Sequence, residues 1–345
     1  MAHKHLPTQL VGSYAQPAWL IDKVRLGERL PPRVRAKELW RVSEEFRSEA
    51  CQDATIAALR DQELAGVDIV TDGEICRESY SNRFSNALAG IDVHNPGEAM
   101  DRTGKLVPVP RVFDEIRRVS AVEVEMVKLL KRHTRKAVKM TLPGPFTMAQ
   151  QAQNDFYASQ AELAMAYAEA LNDEVMALFA AGADMVQLDE PYVQARPEAA
   201  REHAVAAIDR ALQGSSGATV LHVCFGYGKH VADKPSGYSF LAELDDCAAD
   251  EISIEVAQPG LSNAVLELLP SKRIHVGVLD LRDGEAETAG CVAARLRKAL
   301  DVLPPERLVV APDCGMKYLS RDLAFAKLEA MVAGADIVRN ELGLD

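Results

Sequence analysis

His222 and Cys224 stand two residues apart in the apolar, β-rich run Leu221-His222-Val223-Cys224. Side chains two apart on a strand share a face, so an imidazole and a thiol are presented together. Glu255, ending Ile252-Ser253-Ile254-Glu255, and Cys314, in Ala311-Pro312-Asp313-Cys314-Gly315, also follow short apolar runs. Zinc takes thiolate, imidazole and carboxylate in tetrahedral geometry, and two thiolates favour it over magnesium or calcium. A His-x-Cys pair alone is more often ordinary core. Four suitable donors at strand ends point instead to a zinc site made by His222, Cys224, Glu255 and Cys314. The other cysteines fit packing: Cys51 and Cys291 fall in helical patterns, Cys247 lies near the end of one, and Cys76 follows a strand with no thiol or histidine nearby.

The elements that must position these groups alternate along the chain. β-rich runs cover Gln9–Ser13, Val67–Thr71, Ala137–Leu142, Asp184–Leu188, Thr219–Cys224, Glu251–Val256, Ile274–Leu279 and Leu308–Ala311. Most are continuous apolar runs, as in parallel strands covered on both faces. Helical patterns fill most gaps, notably Lys37 to Leu64, Gln160 to Ala180 and Arg321 to Val332, and three of them run into Ala-Gly-x-Asp at Gly66, Gly182 and Gly334. Glycine there supplies a left-handed C-terminal turn. Eight β/α units without a composition break predict an α/β chain folded as one (β/α)8 TIM barrel over 1–345. An insertion around 75–135 should hold a helix from Arg111 to His133 and a surface excursion from Asn95 to Pro110. A doubly wound open sheet is the alternative, weakened because no G-x-G-x-x-G follows the first strand.

In a barrel the strand ends share one rim, where active sites sit. Gly12-Ser13, Asp72-Gly73-Glu74, Pro143-Gly144-Pro145, Asp189-Glu190-Pro191, His222-Val223-Cys224, Glu255, Asp280 and Pro312-Asp313-Cys314 all fall there. Leu221-His222-Val223-Cys224-Phe225, Ile252-Ser253-Ile254-Glu255 and Ala311-Pro312-Asp313-Cys314-Gly315-Met316-Lys317 resemble the zinc motifs of the cobalamin-independent methionine synthases. Val11-Gly12-Ser13-Tyr14, Asp72-Gly73-Glu74, Gly144-Pro145-Phe146-Thr147 and Gln187-Leu188-Asp189-Glu190-Pro191 resemble that family's other barrel-mouth motifs, in the same order. The likeness spans nearly the whole chain but only the catalytic C-terminal barrel of the long two-barrel enzymes, a fold shared with the uroporphyrinogen decarboxylases.

The resemblance implies a methyltransferase of the 5-methyltetrahydropteroyltriglutamate–homocysteine type, in which zinc lowers the pKa of a thiol and presents it as thiolate. Its partners would be homocysteine or a similar thiol and a methyl donor, either methylfolate or a methylcorrinoid protein. Gly12, Ser13, Glu74 and Asp189 would bind the amino-acid part, because carboxylates suit its ammonium and hydroxyl or backbone donors its carboxylate. Glu190 either assists catalysis or orders the rim. Two departures stand out. Arg282 occupies the place of the family's proton-donor histidine and does not titrate near neutrality, which leaves Asp280 as the candidate for proton transfer. After Pro145 the chain continues Met148 to Asp155 without the aromatic residue that suits a pterin, while Phe156 and Tyr157 come later and either stack on a ring or open the next helix. The same zinc thiolate would serve a coenzyme M transferase-like alkyltransferase acting on an epoxide, with Tyr227, Lys229 and Tyr238 shaping its pocket. A metal-free decarboxylase and a zinc-storage protein complete the alternatives.

Composition removes other classes. The chain of 345 residues carries a formal net charge of -12, and no basic footprint of the kind that displaces counterions from phosphates is visible. Lys131-Arg132-His133 and Arg117-Arg118 read as solvated faces of helices. No apolar run approaches the roughly 20 residues a bilayer requires, and no secretory signal follows Met1, so the expected setting is cytoplasmic, with neither nucleic acid nor membrane as partner.

Overall fold

The computed structural model describes residues 5–28, 31–101, 104–227, 230–231, 233–282 and 284–344. Along the described chain the strands are β1 (Ile69–Val70), β2 (Ala89–Met100), β3 (Leu106–Arg117), β4 (Ala137–Pro143), β5 (Gln153–Asn154), β6 (Met185–Asp189), β7 (Ala218–Val223), β8 (Glu251–Ile254), β9 (Arg273–Gly277) and β10 (Leu308–Ala311). Seven of them form a curled parallel sheet in the order β1-β4-β6-β7-β8-β9-β10. Thr8 pairs in parallel with Val310, and Gln9 with Ile69, so the first predicted strand bridges the last and the first of the sheet. Gln9 N donates to Val310 O at 3.0 Å and Ile69 N to Thr8 O at 3.1 Å. The (β/α)8 barrel is thereby closed, with its strands neighbouring one another in chain order. No reversal of strand order occurs, which excludes the doubly wound sheet.

The repeated Ala-Gly-x-Asp motif shows how local sequence sets the barrel. Gly66 and Gly182 adopt φ of +87° and +101°, which ends each helix at little steric cost. The aspartate that follows then fastens the start of the neighbouring strand: Asp68 Oδ2 accepts from Thr8 N at 2.9 Å, and Asp184 Oδ2 from Val138 N at 2.8 Å. Asp250, without the glycine, does the same for Thr219 N at 2.8 Å. The third copy behaves differently. Gly334 lies inside the helix Arg321–Leu342, which ends at Gly343. A Cβ on Gly334 would come within 2.5 Å of Val292, so the glycine serves close helix packing rather than termination.

Both faces of the barrel strands are buried, yet the lumen holds polar and ionisable groups. Lys139 Nζ donates to Leu10 O at 2.6 Å and to Gln187 Oε1 at 2.7 Å, and Gln187 Nε2 donates to Asp189 Oδ1 at 2.7 Å. His275, in the same interior, lies 2.5 Å from Glu251 and 3.1 Å from the Gln9 amide. Outside, apolar helix faces cover the strands. The helix Gln160–Ala180 starts at Ser159, whose hydroxyl accepts from Glu162 N at 3.1 Å. No helix among the described residues is long and apolar enough to cross a membrane.

Three expectations need correction. The helix expected from Arg111 begins only at Val124, and Leu106–Arg117 is β3, an antiparallel partner of β2. Pro108 and Pro110 lack the N–H that a helix interior needs, whereas a short sheet tolerates them at edges and irregularities. Arg117 and Arg118 therefore leave a strand, and Arg118 reaches the buried Glu174 at 2.5 Å. Cys76 does have a thiol neighbour, because the helix Glu44–Leu64 brings Cys51 into hydrogen-bonding contact with it. Phe156 and Tyr157 do not open a helix: Phe156 is about half exposed, and Tyr157 Oη accepts from Ile116 N at 2.9 Å, pinning β3.

Candidate functional site

Strand register assembles the site. Pro143 of β4 pairs with Asp189 of β6, and Asp189 with His222 of β7, so the ends of three consecutive strands meet at one level. His222 Nδ1 lies 2.9 Å from Ser253 Oγ on β8, which leaves Nε2 buried without a hydrogen-bond partner. Cys224 Sγ and Cys314 Sγ are 3.8 Å apart, and these two sulfurs and the His222 ring lie within 4.8 Å of one another. Two soft sulfurs and an imidazole nitrogen whose ring is held by its other nitrogen form a donor set suited to zinc.

Glu255 is fully buried beside this trio, but its oxygens are turned elsewhere. Oε1 accepts from Lys234 Nζ at 2.8 Å and Oε2 from Phe225 N at 2.6 Å. Tyr238 Oη supports the same turn, accepting from Glu255 N at 2.9 Å, so Tyr238 props the loop. Asp313 holds the segment after Glu255 by accepting from Val256 N and Ala257 N at 3.0 Å each. Burial pushes Glu255 up to about 8, and the nearby Cys224 sulfur adds to it. The hydrogen bond with Cys224, together with burial, lifts the Cys314 thiol well above its ordinary value. For His222, burial works against the charged ring, while Cys224, Asp189 and Glu255 more than offset it and raise its pKa. Would-be anions crowd one point, and a cation there would relieve their mutual repulsion.

The pocket beside the sulfurs is narrow, about 30 Å³, and its walls include Ser13, Glu74, Tyr80, Asp189 and Tyr227. Asp189 is pushed up to about 7 by burial, with His222 drawing it back. Glu74 is raised by burial and lowered by Arg77 and Lys317. One carboxylate oxygen of Glu74 accepts from Thr141 Oγ1 at 3.2 Å, while Oε2 is buried with no partner. Its backbone has φ of +53°, a conformation that costs a non-glycine residue roughly 1–3 kcal/mol and clusters at functional sites. Gly12 permits this arrangement, since a Cβ there would stand 2.5 Å from Glu74 Oε1. The Ser13 hydroxyl faces the Tyr227 phenol.

Two expected residues stand away from the pocket. Glu190 is fully buried, and its oxygens accept from Phe146 N at 2.9 Å and Thr147 N at 2.8 Å, the position of a group that orders the rim. Burial raises its pKa to about 8, while Thr147 and the amides of Phe146 and Thr147 lower it. Asp280 accepts from Arg282 N at 2.9 Å and from Arg282 Nη2 at 3.0 Å, so these two neighbours pair with each other. Lys229 lies outside the described residues. Sequence reasoning passed over Ser253, Lys234, Arg77 and Lys317 as functional residues. Lysine and arginine ordinarily signal surface, and only the burial of their side chains here marks them.

Comparisons agree with this geometry. Residues 6–337 match the family described as "Cobalamin-independent synthase, Catalytic domain". Methionine synthase from Thermococcus kodakarensis is 34% identical over 348 residues, covering 98% of this chain and 94% of that protein. Its counterpart from Saccharolobus solfataricus is 32% identical over 351 residues, with 98% and 96% covered. A B12-independent methionine synthase from Shewanella sp. W3-18-1, solved in complex with selenomethionine, superposes with a TM-score of 0.89 at 34% identity over 98% of this chain and 99% of that one. With a match along nearly its whole length, the chain belongs to the cobalamin-independent methionine synthase family and corresponds to its catalytic barrel.

Proposed function

We propose that this chain is a zinc-dependent S-methyltransferase that methylates the thiol of homocysteine or a close analogue. The observation that carries the reading is the convergence of the His222 ring, Cys224 and Cys314 within 4.8 Å beside a pocket walled by Glu74 and Asp189. His222, Cys224 and Cys314 would hold the zinc, and Glu255 would complete the set as a fourth protein donor by turning an oxygen away from Lys234 or Phe225 N. Bound there, zinc lowers the pKa of a coordinated thiol and makes it a nucleophile at neutral pH.

The remaining chemistry belongs to side chains of the pocket. An ammonium group entering between Glu74 and Asp189 favours their ionised forms, so the two buried carboxyls deprotonate as the amino acid binds. Lys139 and Gln187 hold Asp189 from below. Gly12 and Ser13 offer a backbone amide and a hydroxyl to the substrate carboxylate. Glu190 acts by keeping the segment after Pro145 in place, and no proton transfer is assigned to Asp280, which faces Arg282. The Shewanella relative's complex with selenomethionine, the selenium counterpart of a methylated thiol product, supports the same substrate class.

The test is metal content of protein purified without chelator, followed by zinc-edge absorption spectroscopy with and without homocysteine. Stoichiometric zinc that gains a sulfur neighbour on thiol addition supports the reading. Absence of stoichiometric zinc, with homocysteine binding unchanged in Cys314→Ser, would overturn it. Turnover with methylfolate, a methylated corrinoid or an epoxide then separates methyl transfer from the alkyltransferase alternative.

A further inference from the structure

Two cysteines outside the metal site meet behind the thiol pocket. Cys51 sits on the helix Glu44–Leu64, and Cys76 on the turn after β1 that also carries Glu74. Both are free, and both are buried without being sealed, at 6% and 7% exposure. Their sulfurs are in hydrogen-bonding contact. Thr55, one helical turn on from Cys51, touches both residues: its hydroxyl donates to Cys51 O at 2.8 Å and lies 3.7 Å from Cys76 Sγ.

The two thiols are not equivalent. The hydrogen bond from Cys76 lowers the pKa of Cys51, burial opposes it, and the nearby Arg83 and Arg47 lower it further. Cys76 is moved the other way, by the same hydrogen bond and by burial, and keeps its proton. A thiol that ionises readily beside one that stays protonated is the arrangement of a nucleophilic and a resolving cysteine. Cys247 shows the contrast, since burial pushes it up to about 11, as for an inert structural thiol.

The turn that holds Cys76 is bonded as one unit. Glu74 N donates to Asp72 Oδ1 at 3.0 Å and Arg77 N to Glu74 O at 3.1 Å. Gln16 Nε2 brackets Cys76 by donating to Ile75 O at 2.7 Å and to Arg77 O at 2.9 Å. Gly73 and Glu74 in this turn have φ of +63° and +53°. A disulfide bond, about 2.05 Å long, is far shorter than a contact between two thiols. Its formation draws Cys76 and the helix together, and the bonded turn carries Glu74 along.

We propose that Cys51 and Cys76 form a redox-active dithiol that peroxide closes to a reversible disulfide, and that closure displaces Glu74 from its place in the thiol pocket. The modification stands apart from the methyltransferase reading; its effect on homocysteine rests on that reading. In the first step the Cys51 thiolate attacks one peroxide oxygen, the O–O bond breaks, and the departing hydroxide takes up the proton that Cys51 has lost, giving water and a Cys51 sulfenic acid. The Cys76 sulfur then attacks the sulfenic sulfur, the S–S bond forms, the S–O bond breaks, and hydroxide leaves with the Cys76 proton as a second water. The two thiols are oxidised by two electrons in all, and the peroxide is reduced.

The experiment treats the full chain, purified without chelator, with hydrogen peroxide, alkylates the remaining thiols after denaturation and maps the peptides by mass spectrometry. The expected product is lighter by two hydrogens, with a peptide pair joined through Cys51 and Cys76 that dithiothreitol separates, while Cys224 and Cys314 are still alkylated. Homocysteine affinity, by calorimetry, should fall about tenfold or more on oxidation and return with dithiothreitol. Cys51→Ser and Cys76→Ser should lose both responses and bind homocysteine like the reduced wild type; Cys51→Ala serves if a serine variant does not fold. Peroxide that leaves Cys51 and Cys76 alkylatable, or takes either of them to sulfinic acid without the cross-link, overturns the dithiol. A Cys51–Cys76 disulfide with homocysteine affinity unchanged overturns the coupling to Glu74. Reduced wild type that binds no homocysteine would instead sink the methyltransferase reading, and the peptide map would still decide the disulfide.

Discussion

The Ser253 hydroxyl offers a sharp test of how the metal centre is built. It lies 2.9 Å from His222 Nδ1, and Ser253 and His222 are both almost fully buried, at 1% and 2% exposure. Ser253→Ala removes one hydrogen bond and leaves a ring nitrogen in the protein interior with no partner. Losing a buried partner costs about 1–3 kcal/mol, and removing the group that orients a metal-bound histidine typically costs 10- to 100-fold in affinity. At 1.4 kcal/mol per tenfold, the two estimates coincide at about 1.4–2.8 kcal/mol. The expected zinc affinity of Ser253→Ala, measured by competition with a chromophoric chelator, is therefore about 10- to 100-fold below wild type, with the fold intact by circular dichroism. Cys314→Ser is the reference for loss of a direct donor and should fall further. If Ser253→Ala binds zinc within about twofold of wild type while Cys314→Ser does not, Ser253 does not orient His222 and the reasoning from the hydrogen bond is refuted.

Two further outcomes follow from the buried charges. Asp189→Asn and Glu74→Gln each remove a carboxylate charge facing the substrate ammonium while leaving the sulfurs in place, so KM for homocysteine should rise about 10- to 100-fold with zinc content unchanged; an unaltered KM would displace the amino-acid site from this pocket. Burial lowers Lys139 from 10.5 to about 7. Between those values the unfolded chain holds a proton that the native chain lacks, so this group makes stability rise with pH across that window and contributes no slope below it. At about 1.4 kcal/mol per pH unit, wild type should gain roughly 2–3 kcal/mol on Lys139→Met between pH 7.5 and 9.5 in urea unfolding. A pH-independent difference would mean that Lys139 is charged in the native lumen.

Much of this protein is readable along its chain, because the relevant physics is local. Continuous apolar runs separated by helical periods require parallel strands covered on both faces, and the runs Ala137–Leu142 and Leu308–Ala311 fall on β4 and β10 almost residue for residue. His222 and Cys224 share a face by the two-residue period of a strand, so their pairing needs no tertiary information. What failed locally was the stretch from Ala89 to Arg117, where prolines and an irregular register hide a hairpin that only pairing stabilises.

Tertiary structure decided the rest, for reasons of distance and dielectric. The Ala-Gly-x-Asp words at Gly66, Gly182 and Gly334 look alike, yet the third lies inside a helix and packs closely against Val292. Nothing in the neighbourhood of Glu255 in the chain reveals that Lys234 and Phe225 N hold its oxygens, or that Ser253 faces the ring of His222 from the next strand. Burial is a property of the assembled barrel, and burial turns Lys139 and Asp189 from ordinary charged residues into groups whose protonation carries meaning. Residue order along the chain sets which donors and acids this protein can bring to a strand end; closure of the barrel selects which of them share a low-dielectric space and act on one another.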